Sequence, residues 1–272
     1  MSYAAVMVHL DGRQESQRRL RLAVDLADRF DAALIGAAGW VYLPSFLADG
    51  PAAGADDGER REMMGVLANL EKKFRAAAGR LTQPEWRGAL EFSSNFVPRE
   101  ARAADLVIIG RAQDEPAARY FALDPGVAIL GVGRPVLLVP DDVDSLDARR
   151  VVVAWKDTRE SRRAVCDAIP FLRNAEEVTI VEISEHGRET QSQRSIDDVA
   201  SYLLRHKVVV GAKAYLKTKQ SVAGELLRFT RDAGADLIVA GGYGHSRLGE
   251  WAFGGVTRDL IADSPVCCLF SH

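Results

Sequence analysis

An internal repeat is the sequence feature that most constrains the fold of this chain. The segment ADLVIIG at residues 104–110 returns as ADLIVAG at 235–241, and RPVLLV at 134–139 returns as SPVCCL at 264–269. These segments are short and largely apolar, as expected for buried strands. A repeat period of about half of the 272 residues is too long for a solenoid, so the sequence indicates two copies of one domain.

Each copy alternates short apolar strands with longer stretches of helical periodicity. This alternation is typical of an α/β fold whose parallel strands are joined by right-handed crossovers. We therefore predict two tandem doubly wound domains, at residues 1–143 and 148–272, each with a five-stranded, mainly parallel sheet and helices on both faces. The acidic residues Asp141–Asp147 are typical of a solvated linker. The predicted strands are 3–10, 33–38, 86–92, 104–110, 135–140, 151–154, 178–183, 208–216, 237–240 and 265–270, and the predicted helices are 14–30, 59–81, 99–103, 127–130, 160–172, 196–206, 222–233 and 256–262.

The composition narrows the class of protein. Hydrophobic residues make up 47% of the chain and charged residues 27%, which are ordinary values for a globular protein. The net charge is −3 and the pI is near 6.0, so the chain has no overall attraction to nucleic acid or to an anionic membrane. No run approaches the ~20 apolar residues of a spanning helix, and no secretory leader is apparent. We expect a cytoplasmic protein with neither nucleic-acid nor membrane partners.

The cysteines and histidines show no pattern of a metal or catalytic site. Cys166, Cys267 and Cys268 form neither a disulfide framework nor a C-x-x-C pair, and the five histidines show no metal spacing. We expect the cysteines to be small core residues, because they lie in a helical stripe and in a buried strand. No Ser/His/Asp or paired-carboxylate arrangement is recognisable from spacing, so we assign no catalytic residues.

A glycine-rich stretch follows the predicted strand at 237–240 and precedes the predicted helix at 256–262. Glycine lets the backbone approach a ligand closely, and free amides at a helix start attract anions such as phosphate. A tight reversal of the chain would also account for these glycines. His245 and Ser246 could donate to a phosphate or form an exposed loop, and Thr257 lies near the start of the helix.

This stretch resembles the nucleotide-binding motif of the universal stress protein family, and nearly the whole chain resembles the tandem form of that family. The family pattern is a glycine, two residues, a glycine, nine residues, a glycine and then serine or threonine. Gly241, Gly244 and Gly254 match it, Gly255 stands at the final position, and Thr257 resembles the family's second hydroxyl residue. The resemblance implies a stress-response regulatory protein that binds ATP or another adenine nucleotide, with or without Mg²⁺, and hydrolyses it slowly or not at all.

The resemblance also implies how the two domains meet. They would be related by a pseudo-two-fold axis, as separate subunits are in single-domain relatives. Their final strands, Pro135–Val139 and Pro265–Phe270, would pair across the interface and so cover exposed edges. A homodimer of the whole chain is compatible with this arrangement.

The second copy departs from the family at the end of its first strand. The family has an aspartate there that lines the adenine and ribose pocket, and Asp11 holds this place in the first copy. In the second copy Ala154, Trp155 and Lys156 end the strand, so a lysine replaces the carboxylate. Lys156 could pair with a phosphate or be a surface lysine. Trp155 could stack on a base, although packing in the core is the more common role of such a residue.

The first copy lacks the glycine loop. Its turn, Gly110-Arg111-Ala112-Gln113, has no second glycine, and Asp124-Pro125-Gly126 disfavours phosphate by charge and by the loss of an amide donor. We therefore expect an adenine nucleotide to bind in the second copy alone. The alternatives are a weak nucleotide hydrolase and a scaffold that binds another small molecule. The predicted ligand-binding residues are Gly241, Gly244, His245, Ser246, Gly254, Gly255, Val256, Thr257, Ala154, Trp155 and Lys156.

Overall fold

The computed structural model describes residues 2–41, 57–111, 121–184, 189–217, 221–244 and 255–272. Strands and helices alternate through both halves of the chain. The first half contains β1 (Ala5–His9), α1 (Gln14–Phe30), β2 (Ala33–Gly39), α2 (Asp57–Ala77), β3 (Glu85–Ala89), α3 (Ser93–Glu100), a 3-10 turn (Ala101–Ala103), β4 (Leu106–Gly110), α4 (Pro125–Gly131) and β5 (Val136–Val139). The second half contains β6 (Arg150–Ala154), α5 (Arg159–Asp167), α6 (Ile169–Leu172), β7 (Glu177–Ser184), α7 (Glu189–Arg205), β8 (Ala212–Lys217), α8 (Val222–Asp232), β9 (Leu237–Gly241), α9 (Gly255–Asp263) and β10 (Cys267–Ser271).

The described strands form one continuous ten-stranded sheet in the order β3-β2-β1-β4-β5-β10-β9-β6-β7-β8. All neighbouring strands within a half are parallel. The order β3-β2-β1-β4-β5 of the first half is repeated as β8-β7-β6-β9-β10 in the second. The predicted fold class, two tandem doubly wound domains, is confirmed.

The two halves meet at the antiparallel pair β5 and β10. Leu137 lies opposite Leu269, and Val136 lies opposite Phe270. The pairing of the final strands that the family resemblance implied is therefore present, and neither strand is left as an exposed edge. All four of these side chains are buried, so the interface is part of the core.

Helices cover both faces of the sheet. One apolar core contains Leu22 of α1 and Ile196 of α7, and the other contains Ile129 of α4 and Leu260 of α9. The alternation of side chains along each strand divides the apolar residues between these two cores. Parallel strands buried on both faces read as continuous apolar runs, which is the pattern of β4 and β9.

An aromatic cluster joins the two halves on one face of the sheet. The rings of Tyr3 and Phe30 in the first half and Phe171 in the second lie 5.1 to 5.6 Å apart, centroid to centroid, in edge-to-face arrangements. The Tyr3 hydroxyl also donates to the Asp167 carbonyl oxygen at 2.6 Å. Because such rings bury large apolar areas, this cluster makes the stability of each half depend on the other.

The segment between the halves has exposed acidic side chains, as predicted for a solvated linker, but it is also docked against the first half. Leu146 and Ala148 are buried in the core. Arg21 of α1 lies 3.4 Å from a carboxylate oxygen of Asp144, and Arg29 lies 3.6 Å from one of Asp147. The acidic residues are therefore partners of arginines on α1.

Several predicted helices have different bounds, and three of them are examples. The helix predicted at 99–103 begins earlier, at Ser93, and contains Pro98, which sequence rules placed outside a helix. The helix predicted at 196–206 begins at Glu189. The helix predicted at 160–172 is divided at Ala168, two residues before Pro170, whose ring and missing N–H interrupt the hydrogen bonding of a continuous helix.

One prediction about the cysteines is wrong. Cys267 and Cys268 are buried in β10 as expected, but Cys166 is exposed on α5, because the apolar stripe of this helix runs through Ala164 and Val165 instead.

None of the described helices is long and apolar enough to cross a membrane. The described residues also include no cluster of three or more metal-ligating side chains.

A substitution in the aromatic cluster tests whether the stability of the chain depends on contacts between the two halves. Replacing Phe171, which is 1% exposed, with alanine leaves a cavity between Tyr3 and Phe30 and should lower the free energy of unfolding by about 3–5 kcal/mol. Urea unfolding followed by far-UV circular dichroism measures the loss. Leu204→Ala on α7, where the side chain is 64% exposed, is the control and should change the same quantity by less than about 0.5 kcal/mol. Equal effects of the two substitutions would contradict this role of the cluster.

Candidate functional site

A cavity of about 350 Å³ lies at the C-terminal ends of β6 and β9. The chain leaves these two neighbouring strands toward opposite sides of the sheet, since β7 follows on one side of β6 and β10 on the far side of β9. Doubly wound sheets bind ligands at such a switch point because the loops diverge there and leave a crevice.

Most of the predicted ligand-binding residues surround this one cavity. His245, Ser246 and Gly254 lie outside the described residues. The other predicted residues are all in its lining, namely Ala154, Trp155, Lys156, Gly241, Gly244, Gly255, Val256 and Thr257.

The lining has an apolar part that sequence reasoning missed. Val181 and Ile183 of β7 and Val222 and Leu226 of α8 form this part. Their apolar character was visible in the sequence, but nothing in it indicated that strand β7 and helix α8 meet beside the glycine loop. An apolar wall of this kind suits a ring system.

Two hydroxyl residues were also missed, although a local signal pointed to them. Thr158 caps helix α5 by accepting a hydrogen bond from the Ser161 N–H at 3.3 Å, and both residues line the cavity. A threonine just before a helix is a recognised N-cap signal. Among the described lining residues, Lys156 is the one that carries a charge.

The glycines of the loop serve different purposes. A Cβ at Gly241 would lie 2.6 Å from the backbone nitrogen of Ser161, so this glycine is required for strand β9 to pack against the start of α5. A Cβ at Gly244 would lie 3.3 Å from a carboxylate oxygen of Glu160. A Cβ at Gly255 would meet nothing within 4 Å. Close packing of β9 on α5 therefore accounts for Gly241, whereas no packing contact accounts for Gly255.

Thr257 connects the glycine loop to the first turn of α9. Its side-chain oxygen accepts a hydrogen bond from the backbone N–H of Tyr243 at 3.2 Å, and the residue is 5% exposed. Tyr243 has a φ of +49°, a left-handed conformation that is uncommon for a residue with a side chain. The surrounding contacts must hold this conformation in place.

A buried carboxylate lies behind the loop. Burial raises the pKa of Glu160, but hydrogen bonds from its own backbone N–H and from the Thr158 hydroxyl lower it, as does the nearby Arg159 guanidinium. The net pKa lies below the ordinary value, so Glu160 is ionised at neutral pH. Its charge offsets the positive N-terminus of α5, and it occupies the side of the loop next to Gly244.

Trp155 forms the wall between this cavity and a second one. Its indole N–H donates to the Ser195 hydroxyl of α7 at 2.6 Å, and the side chain is largely buried. The second cavity, of about 550 Å³, lies between α5 and α7 and is also lined by Trp155 and Tyr202. Trp155 therefore packs against neighbouring elements, and it also lines the candidate ligand site.

The corresponding place in the first half is filled by protein side chains. Strand register makes Asp11 equivalent to Lys156, because Val6 pairs with Leu106 as Val151 pairs with Leu237. The Asp11 carboxylate is buried and lies 3.1 Å from a guanidinium nitrogen of Arg19 and 2.6 Å from one of Arg13. Burial raises the pKa of Asp11, but the charge of Arg19 and the hydrogen bond from Arg13 hold it well below its usual range.

Arg19 occupies the space beside Gly110 at the end of β4. Its guanidinium lies so close to Gly110 that a Cβ there would be 2.1 Å from it, and its Nε donates to the His9 carbonyl oxygen at 3.0 Å. Arg19 is the sixth residue of α1, and the sixth residue of α5 is Ala164. Ala164 cannot reach across in this way, and Gly241, the equivalent of Gly110, is packed against Ser161 at the start of α5.

An aromatic pair covers the same place in the first half. The rings of Trp40 and Phe121 are stacked, with centroids 4.6 Å apart. A Cβ at Gly12 would lie 3.2 Å from the Trp40 ring, so the indole lies directly on the turn after β1. Charged and aromatic groups of the first half thus occupy the region where the second half has its cavity.

Solved structures of other proteins share the fold of the whole chain. A universal stress protein from Archaeoglobus fulgidus DSM 4304 has a TM-score of 0.66 and 19% identity, covering 98% of this chain and 95% of that chain. A functionally unknown protein from Pseudomonas aeruginosa PAO1 has a TM-score of 0.57 and 14% identity, covering 99% of this chain and 92% of that chain. A universal stress protein in complex with cAMP has 24% identity and a TM-score of 0.37, covering 51% of this chain and 98% of that chain.

The family assignment comes from the sequence of the second half. A search of curated proteins finds no match. Residues 147–271, in contrast, match the model of the universal stress protein family. The whole chain shares its architecture with the universal stress protein from Archaeoglobus fulgidus, which it covers almost completely. Residues 147–271 thus belong to the universal stress protein family, and the first half of the chain repeats the same fold.

Proposed function

We propose that the second half binds an adenine nucleotide, ATP or a close relative, and that the protein is a regulatory member of its family. The observation that carries the proposal is the composition of the cavity at the ends of β6 and β9. It joins an apolar wall, three hydroxyl residues, a glycine loop, a helix start and one lysine. These are the groups that a base, a ribose and a phosphate chain require.

The lining favours one orientation of the nucleotide. The base would lie against Val181, Ile183 and Leu226, which offer no charge. The phosphates would lie at Gly244 and at the start of α9, where the first amides of the helix have no partner within the helix. Lys156 at the mouth of the cavity would pair with a phosphate as a point charge.

Glu160 limits where the phosphates can bind. Its ionised carboxylate already compensates the start of α5 and borders Gly244, so a phosphate chain would be repelled on that side and directed to α9. Mg²⁺ bound to the phosphates would reduce this repulsion. We therefore expect Mg²⁺ to strengthen the binding of ATP more than that of AMP.

Binding is favoured over rapid hydrolysis. The described part of the lining contains no histidine, aspartate or glutamate that could act as a general base. Glu160 lies behind the loop, and its lowered pKa makes it a weak base. These observations support a nucleotide-dependent regulator whose turnover is slow or absent.

Calorimetric titration with ATP, ADP, AMP, cAMP and GTP tests the proposal directly. We expect one adenine nucleotide per chain, because Arg19 and Asp11 fill the equivalent place in the first half. Failure of every adenine nucleotide to bind would refute the proposed function. Two bound molecules per chain would refute the assignment of the site to the second half alone.

Lys156 provides a first prediction about affinity. Lys156→Ala removes the one charged residue of the described lining and should weaken ATP binding roughly five- to tenfold, the effect of losing one exposed charge-assisted hydrogen bond. Lys213→Ala is the matched control, because this lysine is also exposed but pairs with Asp197 on α7 and does not line the cavity. ATP affinity that is unchanged in Lys156→Ala would exclude Lys156 from the site.

A second prediction concerns Gly244 and distinguishes the effect of an added charge from the effect of an added side chain. Gly244→Asp adds a carboxylate beside Glu160 and at the proposed phosphate position, so ATP binding should fall at least about a hundredfold through like-charge repulsion. Gly244→Asn adds a side chain of the same size without the charge and should retain much more affinity. Titration calorimetry measures both variants. Equal losses in the two variants would indicate that bulk, and not a bound anion, explains the effect.

A further inference from the structure

The glycine loop of the second half begins in contact with helix α4 of the first half. A Cβ at Gly242 would lie 2.5 Å from the Cγ2 methyl of Ile129, a residue of α4. On its other side, the Gly242 N–H donates to the Ser271 carbonyl oxygen of β10 at 2.8 Å. Gly242 is thus held between a helix of one half and a strand of the other, with no room for a side chain.

The next residue, Tyr243, extends its side chain toward the same helix. A Cβ at Gly126, the second residue of α4, would lie 2.7 Å from the Tyr243 hydroxyl oxygen and 3.5 Å from the ring carbon that carries it. Burial raises the pKa of the Tyr243 hydroxyl, and so does the nearby charge of Asp124. The phenol therefore remains protonated and packed against the start of α4.

Tyr243 also contacts the candidate ligand site through its backbone. Its N–H donates to the Thr257 side-chain oxygen at 3.2 Å, and Thr257 lines the cavity at the start of α9. The left-handed φ of +49° at Tyr243 directs the side chain to the first half while the N–H faces α9. A residue in this conformation needs support from its surroundings, and α4 supplies it.

We propose that helix α4 of the first half positions the glycine loop of the second half through Tyr243, so that the ligand affinity of the second half depends on the first. Tyr243 is a positioning residue: it acts on the cavity through Thr257 and the loop backbone. The affinity measurement in its test rests on the nucleotide binding proposed above. A shift of the loop by about 1 Å is enough to change binding strongly, because hydrogen bonds depend steeply on distance and angle.

A double-mutant cycle between Gly126 and Tyr243 tests the proposal. Gly126→Ala should weaken ATP binding about tenfold, because the new methyl group displaces the Tyr243 hydroxyl. In a Tyr243→Phe background the same substitution should change the affinity less than about twofold, because the nearest ring atom is then 3.5 Å away, an ordinary contact. Asp124 Oδ1, 3.0 Å from the new methyl, affects both backgrounds equally and cancels in the cycle.

Gly131→Ala is the control within the same helix. A Cβ at Gly131 would meet Pro98 at 3.9 Å and is far from any clash, so ATP affinity should not change. Calorimetric titration of the wild type, the control and the members of the cycle gives the affinities. The proposal is overturned if Gly126→Ala leaves the affinity unchanged, or if it lowers the affinity equally with tyrosine and with phenylalanine at position 243.

Amide hydrogen exchange gives a measurement that needs no ligand. Gly126→Ala should speed exchange in the peptide that contains Leu237–Gly244, and Tyr243→Phe should remove most of this difference. If the wild type binds no adenine nucleotide but the exchange cycle behaves as described, the proposed function fails and the positioning by α4 stands. If nucleotide binds normally and exchange in Gly126→Ala matches the wild type, the positioning by α4 is refuted.

Discussion

The antiparallel pairing of β5 with β10 is the interaction on which the rest of the structure depends. It converts two five-stranded sheets into one and buries the strand edges that each half would otherwise expose. The helices that precede these strands, α4 and α9, are brought to the same face of the joined sheet. This arrangement places α4 against Gly242 and Tyr243, so the glycine loop is built partly by the other half. A helix of the first half thus contacts the residues that begin the loop beside the cavity of the second half.

The two halves differ in the side chains that follow their first strands, β1 and β6. At the end of β1 a buried aspartate is neutralised by two arginines, and the guanidinium of Arg19 fills the crevice beside Gly110. At the equivalent position after β6 a lysine faces solvent, and Ala164 stands in place of Arg19. A buried carboxylate requires a partner, whereas an exposed lysine does not. The loss of both ion pairs of the buried aspartate thus accompanies the presence of a cavity.

Much of the fold could be predicted from the sequence, because the signals are local. Apolar runs such as those of β4 and β9 identify buried parallel strands, and their repetition after about half of the chain indicates two equivalent domains. The errors fall where tertiary packing overrides a local rule. Pro98 is accommodated inside α3, and the acidic segment near Asp144 pairs with α1 although its carboxylates remain exposed. Cys166 faces solvent although its neighbour Val165 is buried. Successive residues of a helix point about 100° apart, so an error of one residue in the predicted apolar stripe changes which side chains are buried.

The sequence by itself determined the fold class, the duplication and the list of residues from which a phosphate site can be built, because glycine spacing and helix starts are properties of neighbouring residues. Only the tertiary structure decided which of these residues share a cavity. It brought the apolar wall of Val181 and Leu226 to the glycine loop, and it placed Arg19 against Gly110. It also decided that Tyr243 contacts Gly126, more than a hundred residues earlier in the chain. Such contacts depend on strand order and on helix packing across the sheet, and no local pattern encodes them.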